Sequence, residues 1–169
     1  QQRMAENPND ADGWLILGRS LKSLQRFQEA ESALRNANRL LPGNALVMVE
    51  LAESILFASG SPEIGPEARQ LIESALESDP QSQKGLWLMG MISAQDGDEE
   101  KAISHWQTLL TLLDPASGAA TSVNEQIEAA QLRMAHAGVD SFAEESGMGS
   151  PTATGAVSEP AAAQPAVTE

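Results

Sequence analysis

Cysteine is missing from all 169 residues, which excludes disulfides, thiolate nucleophiles and cysteine-held metal from the chain itself. Histidine occurs twice, as His105 and His136, and neither has a second histidine or a paired carboxylate at a spacing that would place ligands on one face. Lysine and arginine together number 10 against 24 aspartates and glutamates, giving a net charge of −14. Such a surface repels nucleic acid and anionic lipid, whose recognition rests on clustered bases, so no nucleic-acid partner is expected. No apolar run approaches the ~20 residues of a bilayer-spanning helix, and no signal-peptide pattern is present. A glycine-rich phosphate loop and a serine elbow are also lacking. The acids Asp96, Asp98, Glu99 and Glu100 lack the closing glutamate of a calcium loop. They read as a turn and the first turn of a helix, where negative charge suits the helix dipole. The chain offers no constellation for catalysis, and neither a metal nor a cofactor is expected.

What is present is repetition. Residues 11–44, ADGWLILGRSLKSLQRFQEAESALRNANRLLPGN, place Trp14, Leu17, Gly18, Ala30, Ala37 and Pro42 at the corresponding positions of the tetratricopeptide helix–turn–helix repeat of about 34 residues. Trp14, Leu17 and Leu21 share one helical face and bury against the following helix. Gly18 and Ala30 let the two antiparallel helices approach closely, and Pro42 ends the second helix. A second repeat over 45–82 packs Met48, Leu51, Ala52 and Ile55, then repeats the spacing with Ala68, Ile72, Ala75 and Pro80. Its linker SGSPEIGPE is longer than the first repeat's turn by about four residues, beyond what the repeat pattern requires. A third repeat over 83–116 runs through Leu86, Met89 and Gly90, a turn at Asp96-Gly97-Asp98, then Ala102, Trp106 and a late Pro115.

Arrays of this kind need a polar-faced end, and Val123, Ile127, Ala130 and Met134 predict a capping helix over 121–137. Residues 1–10 read as the end of an upstream helix and a lead-in turn, so the chain is expected to begin in mid-architecture, with room for a targeting or an anchoring segment ahead of it. Residues 147–169 are rich in Pro, Ala, Gly, Ser and Thr, with no Lys or Arg, and are expected to be disordered. The reading is all-α: about three repeats, a cap and a tail. From Ala137 onward five acids contribute −5, which leaves −9 on the body.

Without catalytic residues, function falls to a surface, and first helices of such repeats line a concave one. The inward positions give Leu15, Arg19, Lys22 and Ser23; Val49, Glu53, Leu56 and Phe57; Trp87, Met91, Ala94 and Gln95. Leu15, Val49, Leu56, Phe57, Trp87 and Met91 form an apolar floor for the apolar face of a helix. Arg19 and Lys22, one turn apart, form a basic edge able to meet a carboxylate. Phe57 stands open between groove and core. Trp87 reads either as a groove residue or as a cover for the junction with the capping helix, and Arg19 and Lys22 either as ligand contacts or as solvated charges.

In this register the stretch from Gln1 to about His136 resembles the periplasmic repeat domain of bacterial cytochrome c biogenesis proteins, the haem-lyase accessory subunits of the system I pathway (CcmI/CcmH type), and their relatives in nitrite reductase maturation (NrfG type). The similarity lies in ENPNDADGWLILGRS, LLPGNALVMVELAESI, IESALESDPQSQKGLWLMGM, KAISHWQTLLTLLDP and IEAAQLRMA. Leu21 departs from the repeat's usual Tyr, and the acidic Pro-Ala tail has no counterpart in the pattern. The resemblance implies a chaperone-like domain that holds the C-terminal helical segment of apocytochrome c for haem ligation, alongside other haem-lyase components. It also implies a periplasmic location in an inner-membrane-anchored protein and no haem attachment by the domain itself. A monomer is expected. Two other classes remain: a generic scaffold in another envelope or secretion assembly, and a homotypic oligomer using the groove on its own tail or a neighbour's end.

Overall fold

Four prolines punctuate the fold. Pro8, Pro42, Pro80 and Pro115 each stand two residues before a side chain that starts a helix. The Asp10 carboxylate accepts from the Gly13 amide at 2.8 Å, the Asn44 side-chain oxygen from Val47 at 3.1 Å, the Ser82 hydroxyl from Gly85 at 3.3 Å and the Ser117 hydroxyl from Ala120 at 3.1 Å. Each satisfies one of the amides that a helix start leaves without an intrahelical partner. The structure, a computed structural model, describes residues 7–145, with side chains through residue 137. Its helices, in chain order, are α1 (Ala11–Ser23), α2 (Phe27–Leu40), α3 (Ala45–Ser59), α4 (Pro66–Ser78), α5 (Gln83–Gln95), α6 (Glu99–Leu110) and α7 (Gly118–Glu145). Among the described residues there is no strand. Each helix packs chiefly on its neighbours in sequence, which is the contact pattern of a stacked helix-hairpin array.

The hairpins close by matching a small residue on the first helix to a large one on the second. A methyl group added at Gly18 would stand 2.5 Å from Leu34 Cγ, and one added at Gly90 would stand 2.5 Å from Trp106 Cε2. Leu34 is fully buried and Trp106 is 1% exposed, so neither can swing aside into solvent. In the middle hairpin Ala52 and Ile72, both fully buried, occupy the equivalent positions. The size of the second-helix residue sets how small the first-helix residue must be.

The long linker between α3 and α4 is stapled rather than free. Ile64 is 5% exposed within the core of the second repeat, beside Ile72 and Leu88. Its amide donates to Gln95 Oε1 at 2.7 Å, so the end of α5 holds the linker in place. Outside the core, arginine forks join successive units: Arg35 to Glu67, Arg69 to Asp96 and Arg133 to Glu99. These pairs are exposed and contribute about 0–1 kcal/mol each.

α7 begins earlier than the 121–137 read from the sequence, because Ser117 starts it, and it continues to Glu145. Val123, Ile127 and Ala130 bury against α6 and its surroundings, while Met134 remains 38% exposed. Arg133 reaches Glu99, the first residue of α6. The helix read over residues 1–6 and the acidic tail over 147–169 lie outside the described residues.

Gly90→Ala should destabilise the domain by about 1–3 kcal/mol through overpacking, despite the ~1 kcal/mol that alanine gains over glycine in a helix. A thermal melt should show a midpoint several degrees lower. Combining it with Trp106→Ile, which copies the Ala52–Ile72 pair, should make the added methyl harmless or favourable. An equal cost in both backgrounds would show that Trp106 is not what excludes it.

Candidate functional site

The cap register fixes which side chains face inward. Positions five and nine residues after each cap are Leu15 and Arg19, Val49 and Glu53, Trp87 and Met91, and, on α7, Ser122 and Gln126. Side chains from α1, α3 and α5 meet across this face, so the first helices form one surface. At its centre lies Glu50, with a side chain 4% exposed. Arg19 Nη2 donates to Glu50 Oε1 at 3.2 Å and Lys84 Nζ to the same oxygen at 3.3 Å, while Lys22 Nζ donates to Oε2 at 2.5 Å. Lys22 also pairs with Glu53, and Lys84 reaches Glu53 Oε2 at 2.8 Å. Three repeats are thereby tied by one carboxylate. Burial alone pushes the Glu50 carboxyl up, but the hydrogen bonds and charges of Lys22 and Lys84 outweigh it and hold the group below the ordinary carboxylate value. Burial likewise pulls the Lys84 ammonium down, and Glu53 and Glu50 outweigh it and leave it raised.

The basic edge expected at Arg19 and Lys22 is therefore engaged with α3. Lys22 is 13% exposed and holds two carboxylates, whereas Arg19 is half exposed and makes a single side-chain bond among the described residues. Val49 requires a correction: it is 2% exposed and packs in one core cluster with Ile72, Leu88 and Ile92, so it does not line the surface. A short β-branched side chain at this position is covered once α5 packs against α3. Leu15 and Leu56 are partly buried, and Leu56 packs on the second-repeat core. Phe57, left open between groove and core, stacks on Phe27 at 5.0 Å between ring centroids and keeps half its surface exposed.

The open part of the surface lies between α5 and α7. An apolar cavity of about 320 Å³ is lined by Trp87, Leu109, Leu113, Ala119 and Val123, with Glu53, Lys84, Gln83 and Ser122 at its rim. Trp87 is half buried, its ring tilted 43° to that of Trp106 at 6.3 Å, and its carbonyl accepts from Trp106 Nε1 at 3.3 Å. It thus belongs both to the junction with α7 and to the cavity wall. Further along the same two helices, Met91, Ala94 and Gln95 face Gln126 and Arg133 across a second depression with the linker residues Pro62 to Ile64 at its edge. Sequence reasoning named Trp87, Met91, Ala94 and Gln95 but missed the α7 wall and the Glu50 hub. Counting on from Ser117 as a cap would have found Ser122 and Gln126. The pairing of Arg19 and Lys22 with two acids also one turn apart, Glu50 and Glu53, was the signal for the hub. Among the described residues no cluster of His, Cys, Asp or Glu is arranged to hold a metal ion, and no helix is long and apolar enough to cross a membrane.

A carboxylate whose pKa is lower folded than unfolded contributes stability that is complete above the unfolded value of 4.5 and is lost as pH falls through the folded one. Glu50→Gln should cost about 1–3 kcal/mol near neutral pH, since it leaves three cations around a neutral group. Urea unfolding should show this gap closing as the pH falls below 4.5 and the wild-type carboxyl takes up its proton. A gap that stays undiminished at about pH 3 would show that the loss is steric rather than ionic.

Residues 1–120 match the family described as the Cytochrome c-type biogenesis protein H TPR domain. The chain is 27% identical to the cytochrome c-type biogenesis protein CycH of Pseudomonas aeruginosa over 138 residues, which cover 82% of this chain and 34% of that protein. It is 30% identical to CycH of Bradyrhizobium diazoefficiens over 110 residues, covering 65% of this chain and 30% of that protein. The chain thus spans about a third of the length of these curated relatives. The crystal structure of MamA superposes with a TM-score of 0.62 at 17% identity, over 78% of this chain and 75% of that one, which is a likeness of fold. The repeat register, the three stacked hairpins and a family match running from residue 1 to 120 together place the chain in the cytochrome c-type biogenesis protein H TPR domain family.

Proposed function

We propose that this chain is the client-holding module of a cytochrome c maturation protein. It binds the C-terminal helical segment of apocytochrome c in the groove between α5 and α7 and presents it for haem ligation by other components. The observation that carries this reading is the apolar cavity beside Trp87, walled by Leu109, Leu113 and Val123 and bordered by charge. It has the dimensions of one or two bulky side chains of an amphipathic helix, the helix-in-groove mode of recognition. The net charge of −9 on the body favours a segment whose polar face is basic. Membership of a cytochrome c biogenesis family supports a c-type apocytochrome as the client. The domain acts by binding, as a monomer without a cofactor, and belongs to a periplasmic, membrane-anchored protein.

Calorimetric titration with a C-terminal peptide of a c-type cytochrome should give saturable binding well below a concentration of about a millimolar, and a scrambled peptide should not bind. Ala119→Trp, at an exposed position of the cavity lining, should block binding while leaving the melting curve unchanged. Trp87→Ala should also abolish binding, at some cost in stability. Absence of binding by the native peptide would overturn the client assignment. Undiminished binding to Ala119→Trp would move the site elsewhere.

A further inference from the structure

Among the described residues, the ion cluster on the surface of the first helices is one carboxylate short. Three cations, Arg19, Lys22 and Lys84, surround two acids, Glu50 and Glu53. The surplus is placed where a ligand can meet it. Lys22 is enclosed, but Arg19 is 48% exposed and uses one bond of a guanidinium that carries five N–H donors. Lys84 is 41% exposed and stands on the rim of the apolar cavity, one helical turn before Trp87. Because Arg19 and Lys84 donate to the same oxygen of Glu50, their heads flank a single point on the surface.

We infer that the segment held in the groove carries one acidic side chain a helical turn away from the bulky apolar residue seated in the cavity, and that this carboxylate is received by Lys84 and Arg19. This rests on the groove reading above and names the chemistry the groove selects. On a docked helix, residues three or four apart share a face, matching the one-turn separation of Lys84 from Trp87. The body is otherwise acidic, so a segment with many acids is repelled and one acid at the right spacing fixes the register. The carboxylate comes from a side chain rather than a chain end, because α5 carries the face on from Lys84 and Trp87 to Met91 and Gln95, while the shared contact on Glu50 joins Lys84 to Arg19 of α1. A helix lying along it passes through.

The test uses the full chain and a dye-labelled, lysine-rich amphipathic peptide of about 16 residues, roughly 24 Å of helix. The peptide carries one phenylalanine and one glutamate four positions apart on the apolar edge. In fluorescence anisotropy, changing its glutamate to glutamine should weaken binding about three- to tenfold, the range for a partly exposed charge-assisted contact. Against Arg19→Gln the two peptides should differ by less than twofold, and amidating the peptide C-terminus should change nothing. If glutamate and glutamine peptides bind the wild-type chain equally, while replacing the phenylalanine by alanine weakens both, the groove stands and the carboxylate subsite falls. A loss on amidation assigns the subsite to a chain terminus and overturns the side-chain assignment. If no peptide binds at up to about a millimolar, the groove reading fails and this inference fails with it.

Discussion

The close crossing of each helix pair is the constraint on which the array depends. Two helices joined by a short turn bury their shared face only if their axes come within reach of each other's side chains, and here that distance is set by single residues. Gly18 accommodates Leu34 and Gly90 accommodates Trp106, while Ala52 suffices opposite the smaller Ile72. Trp106 is almost wholly enclosed, and its indole nitrogen still finds the Trp87 carbonyl, so the largest side chain of the core is also a polar link between α5 and α6. Close crossings in turn bring the first helices side by side, which creates the concave surface.

That surface is tied by ion pairs at one end and carries an open apolar cavity at the other. From α1 through α3 to α5, lysines and an arginine converge on Glu50 and Glu53 and knit the first helices together. Between α5 and α7 no such bridge intervenes among the described side chains, and an apolar cavity remains. The difference follows from the side chains at equivalent positions. Where Val49 is short enough to disappear into the core, Trp87 is too large and leaves part of its ring at the surface. The Gln95 staple on Ile64 and the Arg133–Glu99 fork fix the far ends of the two groove walls. A groove with rigid walls costs a ligand less ordering free energy than one that must form on binding. Under the proposed client-holding role, this geometry is where the client segment would rest.

The repeats, their order and the all-helical fold were legible in the residues because each depends on local signals: apolar spacing, small residues at fixed offsets and a proline closing each repeat. Trp14, Gly18, Ala30 and Pro42 announce the first repeat without reference to anything distant. Val49 and Glu50 were not legible in this way. They are neighbours in one helix, and the apolar one was assigned to the surface and the charged one left aside. In the fold both are buried, Val49 among Ile72 and Leu88, Glu50 beneath the heads of Arg19, Lys22 and Lys84.

The sequence by itself determined the hairpins and their register, since helix capping and amphipathic spacing act over three or four residues. Only the tertiary structure decided which inward positions stay open. That outcome depends on partners about 28 to 34 residues away, one repeat distant. Whether a lysine is a free edge or a buried bridge is fixed by what the next hairpin places against it, and that is a property of stacking rather than of any one helix.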